Sequence, residues 1–260
     1  MDMRAQVWSP LQNAAVWYGA WLHGHESTDS LLDALTELGG YPEAHAAPAF
    51  TDVLAQLRAE TEGLLGADHG SGAQEPVLRL ILSGPGEPPL LPAGTKSAAA
   101  TAANPAGSIV VRTNDPRRHL VLIPHPTART TMWQVIEETQ PLPTPAWLSP
   151  GDADALLSSA TEESAAIIEG LSYVRNDVPN PRLTVGTLSD FYDTPGLPSS
   201  VPPRAAKLFA RADRVAAIIE TVTDRLNDHT LDPQLLRLWR HIRQARMAGV
   251  AYAVSDFARV

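Results

Sequence analysis

The chain has 260 residues, of which 44% are hydrophobic, and it carries a formal net charge of −9. This length allows one large domain or two small ones, and the composition argues against wholesale disorder. The absence of cysteine excludes disulfides, thiolate metal sites and cysteine nucleophiles. No apolar run approaches the roughly 20 residues of a membrane span, and we identify no signal peptide. We therefore expect a cytoplasmic protein that makes no membrane contact.

Charge is distributed unevenly along the chain. Residues 1–203 contain 10 Lys and Arg against 23 Asp and Glu, a net charge of −13. Residues 204–260 contain 10 against 6, a net charge of +4. The overall acidity argues against extensive nucleic-acid binding, although the basic C-terminal part leaves a local contact open.

Apolar residues at helical spacing predict three helices in the first quarter of the chain. The first runs from about Leu11 to Gly24, and the second follows the N-cap residue Ser27 and stops at Gly39-Gly40. The third runs from Asp52 to about Leu65, and a flexible loop follows it.

The middle of the chain contains the strand signals. Three short apolar runs, at 77–82, 108–112 and 119–123, are each bounded by turn-forming residues and predict buried strands. Residues 131–137 are a weaker fourth candidate. The turn sequence Thr113-Asn114-Asp115-Pro116 predicts an antiparallel hairpin between the second and third strands.

Helices return after a proline-rich connector at residues 140–149. One helix begins at Ser149, a second spans 203–226, and a third contains an apolar stripe from Leu235 to Tyr252; the last two predict an αα-hairpin. Residues 176–203 read as an irregular lid, arm or partner-binding loop.

These elements predict an α+β fold, in which N-terminal helices and a C-terminal helical layer pack on a small, mostly antiparallel central sheet. We expect a single domain over residues 1–260. A soft boundary near residue 145 would divide it into 1–145, with helices and sheet, and a helical part at 146–260.

Two short motifs partly match known phosphate-binding and zinc-binding patterns, but neither match is complete. Gly94-Thr95-Lys96-Ser97 matches only the end of a phosphate-binding loop, because Thr95 separates glycine from lysine and the upstream glycine is missing. His23, His25 and Glu26 lack the further ligand that zinc requires, so we interpret them as a turn with exposed imidazoles. We predict neither metal nor cofactor, and interpret His119 as decoration of the hairpin tip.

Catalytic residues are not identified by any motif. No serine lies in a nucleophile elbow. Asp190 and Asp193, close to Tyr192, could form a paired-carboxylate site on the irregular segment. The sequence leaves enzyme activity open and favours a non-catalytic protein.

Basic and aromatic residues are the better candidates for a binding surface. Four basic residues, spaced by three, four and three, share one helical face; they are Arg204, Lys207, Arg211 and Arg214. Acidic groups, within the chain or on another subunit, are favoured over nucleic acid as their partner. Four further arginines recur every three residues and therefore wind round the last helix; they are Arg237, Arg240, Arg243 and Arg246. Trp17 and Trp21, with Trp8, either pack in the core or mark an interface.

Two stretches resemble uncharacterised proteins from actinobacteria. They are AVWYGAWLHGHESTDSLLDAL at 15–35 and VPPRAAKLFARADRVAAII at 201–219, at opposite ends of the chain. The resemblance implies no assigned function, so it transfers no residue role.

Two classes of function follow from these features. The first is a non-catalytic interaction or regulatory protein, which self-associates or binds a protein partner through the tryptophans or the helix that carries Arg204. The alternative is a small-molecule-binding protein or hydrolase-type enzyme with a pocket under segment 177–203. Binding of a phosphate-rich polymer by the C-terminal arginines is a third possibility.

Overall fold

The computed structural model describes residues 9–65, 75–172, 196–226 and 232–259. These ranges contain seven helices, which are α1 Pro10–Leu22, α2 Thr28–Gly39, α3 Phe50–Leu65, α4 Lys96–Ala103, α5 Pro150–Ser172, α6 Pro203–Leu226 and α7 Asp232–Phe257. They also contain five strands, which are β1 Tyr41–Ala44, β2 Leu78–Ile81, β3 Ser108–Arg112, β4 His119–Pro126 and β5 Thr130–Glu138. The predicted α+β class is confirmed.

The strands form one mixed sheet in the order β1-β5-β4-β3-β2. Neighbours from β2 to β5 are antiparallel, and the predicted hairpin pairs Ile109 of β3 with Leu122 of β4. Strand β1 joins the edge in parallel with β5, pairing Pro42 with Thr131. The sequence prediction missed β1, because a four-residue strand that contains proline has no apolar run.

Both faces of the sheet are covered, which explains why its central strands are apolar runs rather than alternating patterns. One face packs against the N-terminal helices and α7, and it contributes Leu78, Ile109, Leu120 and Trp133 to the largest core cluster. The opposite face forms a smaller cluster in which Val110 and Val121 pack with Leu91. Leu142 of the proline-rich connector and Ala98 of α4 also pack against this smaller cluster.

A separate apolar cluster joins α5, α6 and α7, with Leu157, Leu208 and Ile242 fully buried. Helix α7 belongs to both major clusters, because its later residues Val250 and Phe257 pack with the sheet and α1. The C-terminal helical layer is thus joined to the sheet core through α7 and also through Ala205 and Phe209 of α6. A division of the chain near residue 145 stays a prediction.

The helix boundaries follow capping chemistry. Ser27 accepts a hydrogen bond from the Ser30 amide at the start of α2, and Thr95 accepts one from the Ala98 amide at the start of α4. Gly40, with φ of 81°, turns the chain from α2 into β1 where any side chain would meet the Arg129 carbonyl. None of the helices in the described ranges combines the length and apolar character that crossing a bilayer requires.

Candidate protein interaction surface

The four predicted basic residues of α6 lie together on its outer side, which we call the basic face. Arg204, Lys207, Arg211 and Arg214 are all exposed. The reverse side of α6 is apolar and buried, with Leu208, Phe209 and Ala212 at most 2% exposed. Because burial of that stripe fixes the rotation of the helix, the basic side chains are held towards solvent.

Three of the four side chains of the basic face have no counter-ion among the described residues. Arg211 lies 3.0 Å from a carboxylate oxygen of Asp154 in α5, and it also donates to the Ser158 hydroxyl. Within the described ranges, Arg204, Lys207 and Arg214 form no ion pair. These three cations, without a described partner, lie along about 15 Å of one helix face.

The arginines of α7 behave differently, since every one of them pairs within the fold. Arg237 lies 2.8 Å from Glu163 of α5, and Arg240 and Arg243 both bind Glu87 in the loop after β2. Arg246 and Asp213 of α6 form a buried pair at 2.8 Å. As predicted from their winding, the four arginines do not share one face, and they bind three different acidic residues of the fold.

An acidic face of matching size lies on α2. Its exposed residues Asp29, Asp33 and Glu37 recur every four positions, and none forms an ion pair with another described residue. The other side of α2 is buried through Leu31 and Leu35. The sequence analysis missed this face, although the spacing of four residues was a readable signal.

The two predicted tryptophans make internal contacts. Trp21 is 1% exposed, donates from Nε1 to Thr28 Oγ1 at 3.1 Å, and lies under the Arg58 guanidinium at 4.6 Å. Trp17 is half-buried, and its Nε1 donates to the Gly196 carbonyl at 2.6 Å. Direct contact of a partner with Trp21 would require the core to open, so the surface described above does not include Trp21. A partner contact at Trp17 stays a prediction. Trp8 lies outside the described residues.

The segment Gly94-Thr95-Lys96-Ser97, which partly matches a phosphate-binding loop, makes hydrogen bonds within the fold. Ser97 is 1% exposed and donates a hydrogen bond to the carboxylate of Glu138, the last residue of β5. Burial raises the pKa of Glu138, but hydrogen bonds from Ser97 and the Gln140 amide outweigh this effect and hold it below its usual range. The motif thus stabilises a buried carboxylate.

The histidines differ from their predicted settings. His25 is half-buried, and its Nε2 lies 2.9 Å from the Phe257 carbonyl oxygen, so it joins the end of α7 to the turn after α1. His119 is the first residue of β4 and is half-buried on the sheet, so its interpretation as hairpin-tip decoration is wrong. No group of three potential metal ligands comes together in the part of the chain that the structure describes.

The remaining candidate lies beyond the structural description. Asp190, Tyr192 and Asp193 fall outside the described residues, as does residue range 177–195 of the segment predicted to cover a pocket. The paired-carboxylate site and the pocket therefore stay predictions.

The fold and surface define an α+β protein built from a sheet and a helical layer, and two family models match successive parts of the chain. The description "Rv1486c-like protein, N-terminal domain" matches residues 12–147, and "Rv1486c-like protein, C-terminal domain" matches residues 151–247. The chain therefore belongs to the Rv1486c-like protein family.

Two relatives come from Mycobacterium tuberculosis. One is the uncharacterized protein MT1533 of strain CDC 1551 / Oshkosh, and the other is the uncharacterized protein Rv1486c of strain ATCC 25618 / H37Rv. Each is 25% identical over 279 aligned positions, covering 94% of this chain and 96% of the relative. The predicted resemblance to uncharacterised actinobacterial proteins is confirmed. No solved structure matches the chain.

Proposed function

We propose that this protein is a non-catalytic interaction protein that self-associates head to tail. The basic face of α6 in one copy binds the acidic face of α2 in the next. One observation carries the proposal: Arg204, Lys207 and Arg214 stay without a described counter-ion in a chain whose net charge is −9. An unpaired basic face on an acidic protein favours an acidic protein surface as its partner and disfavours a polyanion.

The two faces are complementary in sign and in size. From Asp29 to Glu37 the acidic face extends about 12 Å, against about 15 Å for the basic face from Arg204 to Arg214. Both lie on helices whose opposite sides are buried, so each presents its charges on a fixed scaffold. Long basic side chains can therefore meet carboxylates of the opposing helix without rearrangement of either copy.

The interface is heterologous, because different patches of the two copies meet. Such contacts continue from copy to copy and generate either closed rings or open chains. Exposed ion pairs contribute only about 0.2–1 kcal/mol each and are weakened by salt. The charges therefore supply orientation and partner choice more than affinity, and association depends on protein concentration.

Charge reversal tests the proposal directly. The α6 variant carries Arg204→Glu, Lys207→Glu and Arg214→Glu, and the α2 variant carries Asp29→Lys, Asp33→Lys and Glu37→Lys. Each variant alone is expected to sediment as a monomer, because its two faces now have the same sign. Mixing the variants is expected to restore association, because the reversed α6 of one meets the reversed α2 of the other.

A matched control separates the faces from overall charge. Lys96, Arg117 and Arg129 are exposed basic residues outside α6, and reversing all three to Glu changes the net charge as much as the α6 variant does. This control is expected to associate like the wild type. An α6 variant that associates like the control, or a mixture that stays monomeric, would contradict the proposal.

A further inference from the structure

We infer that Arg79, Arg112 and His119 form a binding site for a small oxyanion of the phosphate or sulfate type. These three residues, called here the Arg–His corner, lie at one end of the sheet face that α4 and the proline-rich connector cover. The site is separate from both helix faces of the proposed self-association.

Strand register brings the three side chains to the same face. Arg112 of β3 is the direct partner of His119 of β4, and Arg79 of β2 is the partner of Val110, two residues before Arg112. Residues directly opposite or two positions apart on one strand share a face of the sheet. Diagonal neighbours lie about 7–8 Å apart, within reach of long side chains.

Electrostatic coupling supports the same arrangement. Burial lowers the pKa of His119, and the positive charges of Arg79 and Arg112 lower it further, against weaker opposition from Glu138 and Asp115. The pKa of Arg79 is also lowered, first by burial and then by Arg112. Two guanidinium groups are therefore close enough to repel each other and the imidazolium, and a bound anion would relieve that repulsion.

Two buried nitrogen atoms of the Arg–His corner make no hydrogen bond with the described residues. Arg79 Nε and His119 Nδ1 are both buried, and neither has a hydrogen-bond partner within the described part of the chain. Buried polar atoms are nearly always paired, so such atoms call for a specific explanation. Arg79 Nε is a donor and His119 Nδ1 becomes one in the imidazolium, which suits an acceptor-rich oxyanion.

Oxygen atoms of Glu75 bind both arginines, so Glu75 competes with the proposed anion. Its carboxylate forms an ion pair with Arg79, and its backbone carbonyl accepts a hydrogen bond from Arg112 Nη1 at 2.6 Å. The Glu75 side chain is 36% exposed, so it can leave towards solvent. Arg79 is held independently of Glu75, because it also donates to the Pro143 carbonyl at 3.4 Å and its guanidinium lies 5.3 Å from the half-exposed Trp147 ring.

Binding is expected to depend on pH through His119. A bound oxyanion favours the imidazolium and raises the His119 pKa, so by linkage the anion binds more tightly as the pH falls from about 8 to about 6. The groups that face His119 and shape this response are Arg79, Arg112, Glu138 and Asp115. Sulfate keeps a constant charge over this range, so it isolates the contribution of the imidazole from the titration of phosphate itself.

The test uses the full chain and two probes, inorganic sulfate and inorganic phosphate, with chloride at equal ionic strength as the reference. Affinity is read from the rise in thermal stability with anion concentration and from the shift of the His119 ring proton resonances. Both anions are expected to bind, with sulfate tighter at pH 6 than at pH 8. Arg112→Met is expected to weaken sulfate binding by about tenfold or more, since a charge-assisted pair is lost.

Matched variants keep the inference falsifiable. Arg117→Met removes an exposed arginine of the neighbouring turn and is expected to leave sulfate affinity unchanged. Glu75→Gln removes the competing carboxylate and is expected to raise sulfate affinity several-fold, and it leaves Arg79 and Arg112 unchanged. His119→Gln is expected to abolish the pH dependence of sulfate binding. No effect of either anion beyond chloride, equal losses in the Arg112 and Arg117 variants, or unchanged affinity in Glu75→Gln would overturn the inference.

Discussion

At the residue scale, Asp213 and Arg246 form a buried ion pair. The two side chains meet between α6 and α7, where they are 8% and 5% exposed. Burial raises the pKa of Asp213 and lowers the pKa of Arg246, and each charge opposes the shift of the other. The pair therefore carries a high desolvation cost, which the mutual attraction of the two charges opposes.

Removing one partner of this pair is expected to destabilise the protein more than removing both. Asp213→Leu should lower the free energy of unfolding by about 3–5 kcal/mol, because it leaves the Arg246 charge buried without its carboxylate. The double change with Arg246→Met should recover most of that loss. Urea unfolding followed by circular dichroism measures both values.

The exposed pair of Arg237 and Glu163 provides the control for that prediction. Glu163 is 51% exposed, so Glu163→Leu should change the free energy of unfolding by less than about 1 kcal/mol. If Asp213→Leu and Glu163→Leu lowered the free energy of unfolding equally, burial would not explain the importance of the Asp213–Arg246 pair.

At the element scale, helices α6 and α7 approach closely at one point. A Cβ atom on Gly249 of α7 would meet the ring of Phe209 in α6, and that ring is 1% exposed. The ring also packs with the sheet core, so it cannot move away without disturbing a second set of contacts.

Enlarging this glycine is expected to destabilise the helical layer. Gly249→Val should cost about 1–3 kcal/mol through overpacking, despite the better helix propensity of valine. Gly151→Val is the matched control, because Gly151 lies exposed in the first turn of α5. Among the described residues that are not its direct neighbours, a Cβ atom there would approach only the Ser149 hydroxyl within 4 Å. The midpoints of thermal unfolding are compared between the two variants. Equal midpoints would contradict close packing at Gly249.

The helices and central strands could be predicted because their signals are local. Capping residues such as Ser27 and Thr95, together with apolar stripes, fix helix positions without reference to the rest of the chain. Strand β1 could not be predicted, because its place depends on parallel pairing with β5, more than 80 residues later. The basic face was predictable from spacing for the same local reason.

The rest of the site depends on tertiary contacts that no local pattern contains. The position of Asp154 on α5 gives Arg211 an ion-pair partner, whereas Arg214 has none among the described residues. Likewise, the register of β3 against β4 places His119 beside Arg112, although the sequence suggests a solvated hairpin tip. Both outcomes follow from non-local packing.

At the scale of the whole molecule, charge separation is the feature that connects structure with the proposed function. The last 57 residues have a net charge of +4 and the rest of the chain −13. Internal pairs use all four arginines of α7, whereas α6 retains cations without described partners. The proposed head-to-tail association would bring these cations to the acidic part of another copy.

Sedimentation velocity of the wild-type protein tests this central claim most directly. The experiment compares a concentration series at about 0.05 M salt with one at about 1 M salt, where the screening length falls to about 3 Å. We predict that the sedimentation coefficient rises with concentration at low salt and stays at the monomer value at high salt. A monomer at all concentrations in low salt, or an oligomer that salt leaves unchanged, would contradict association through the α6 and α2 faces.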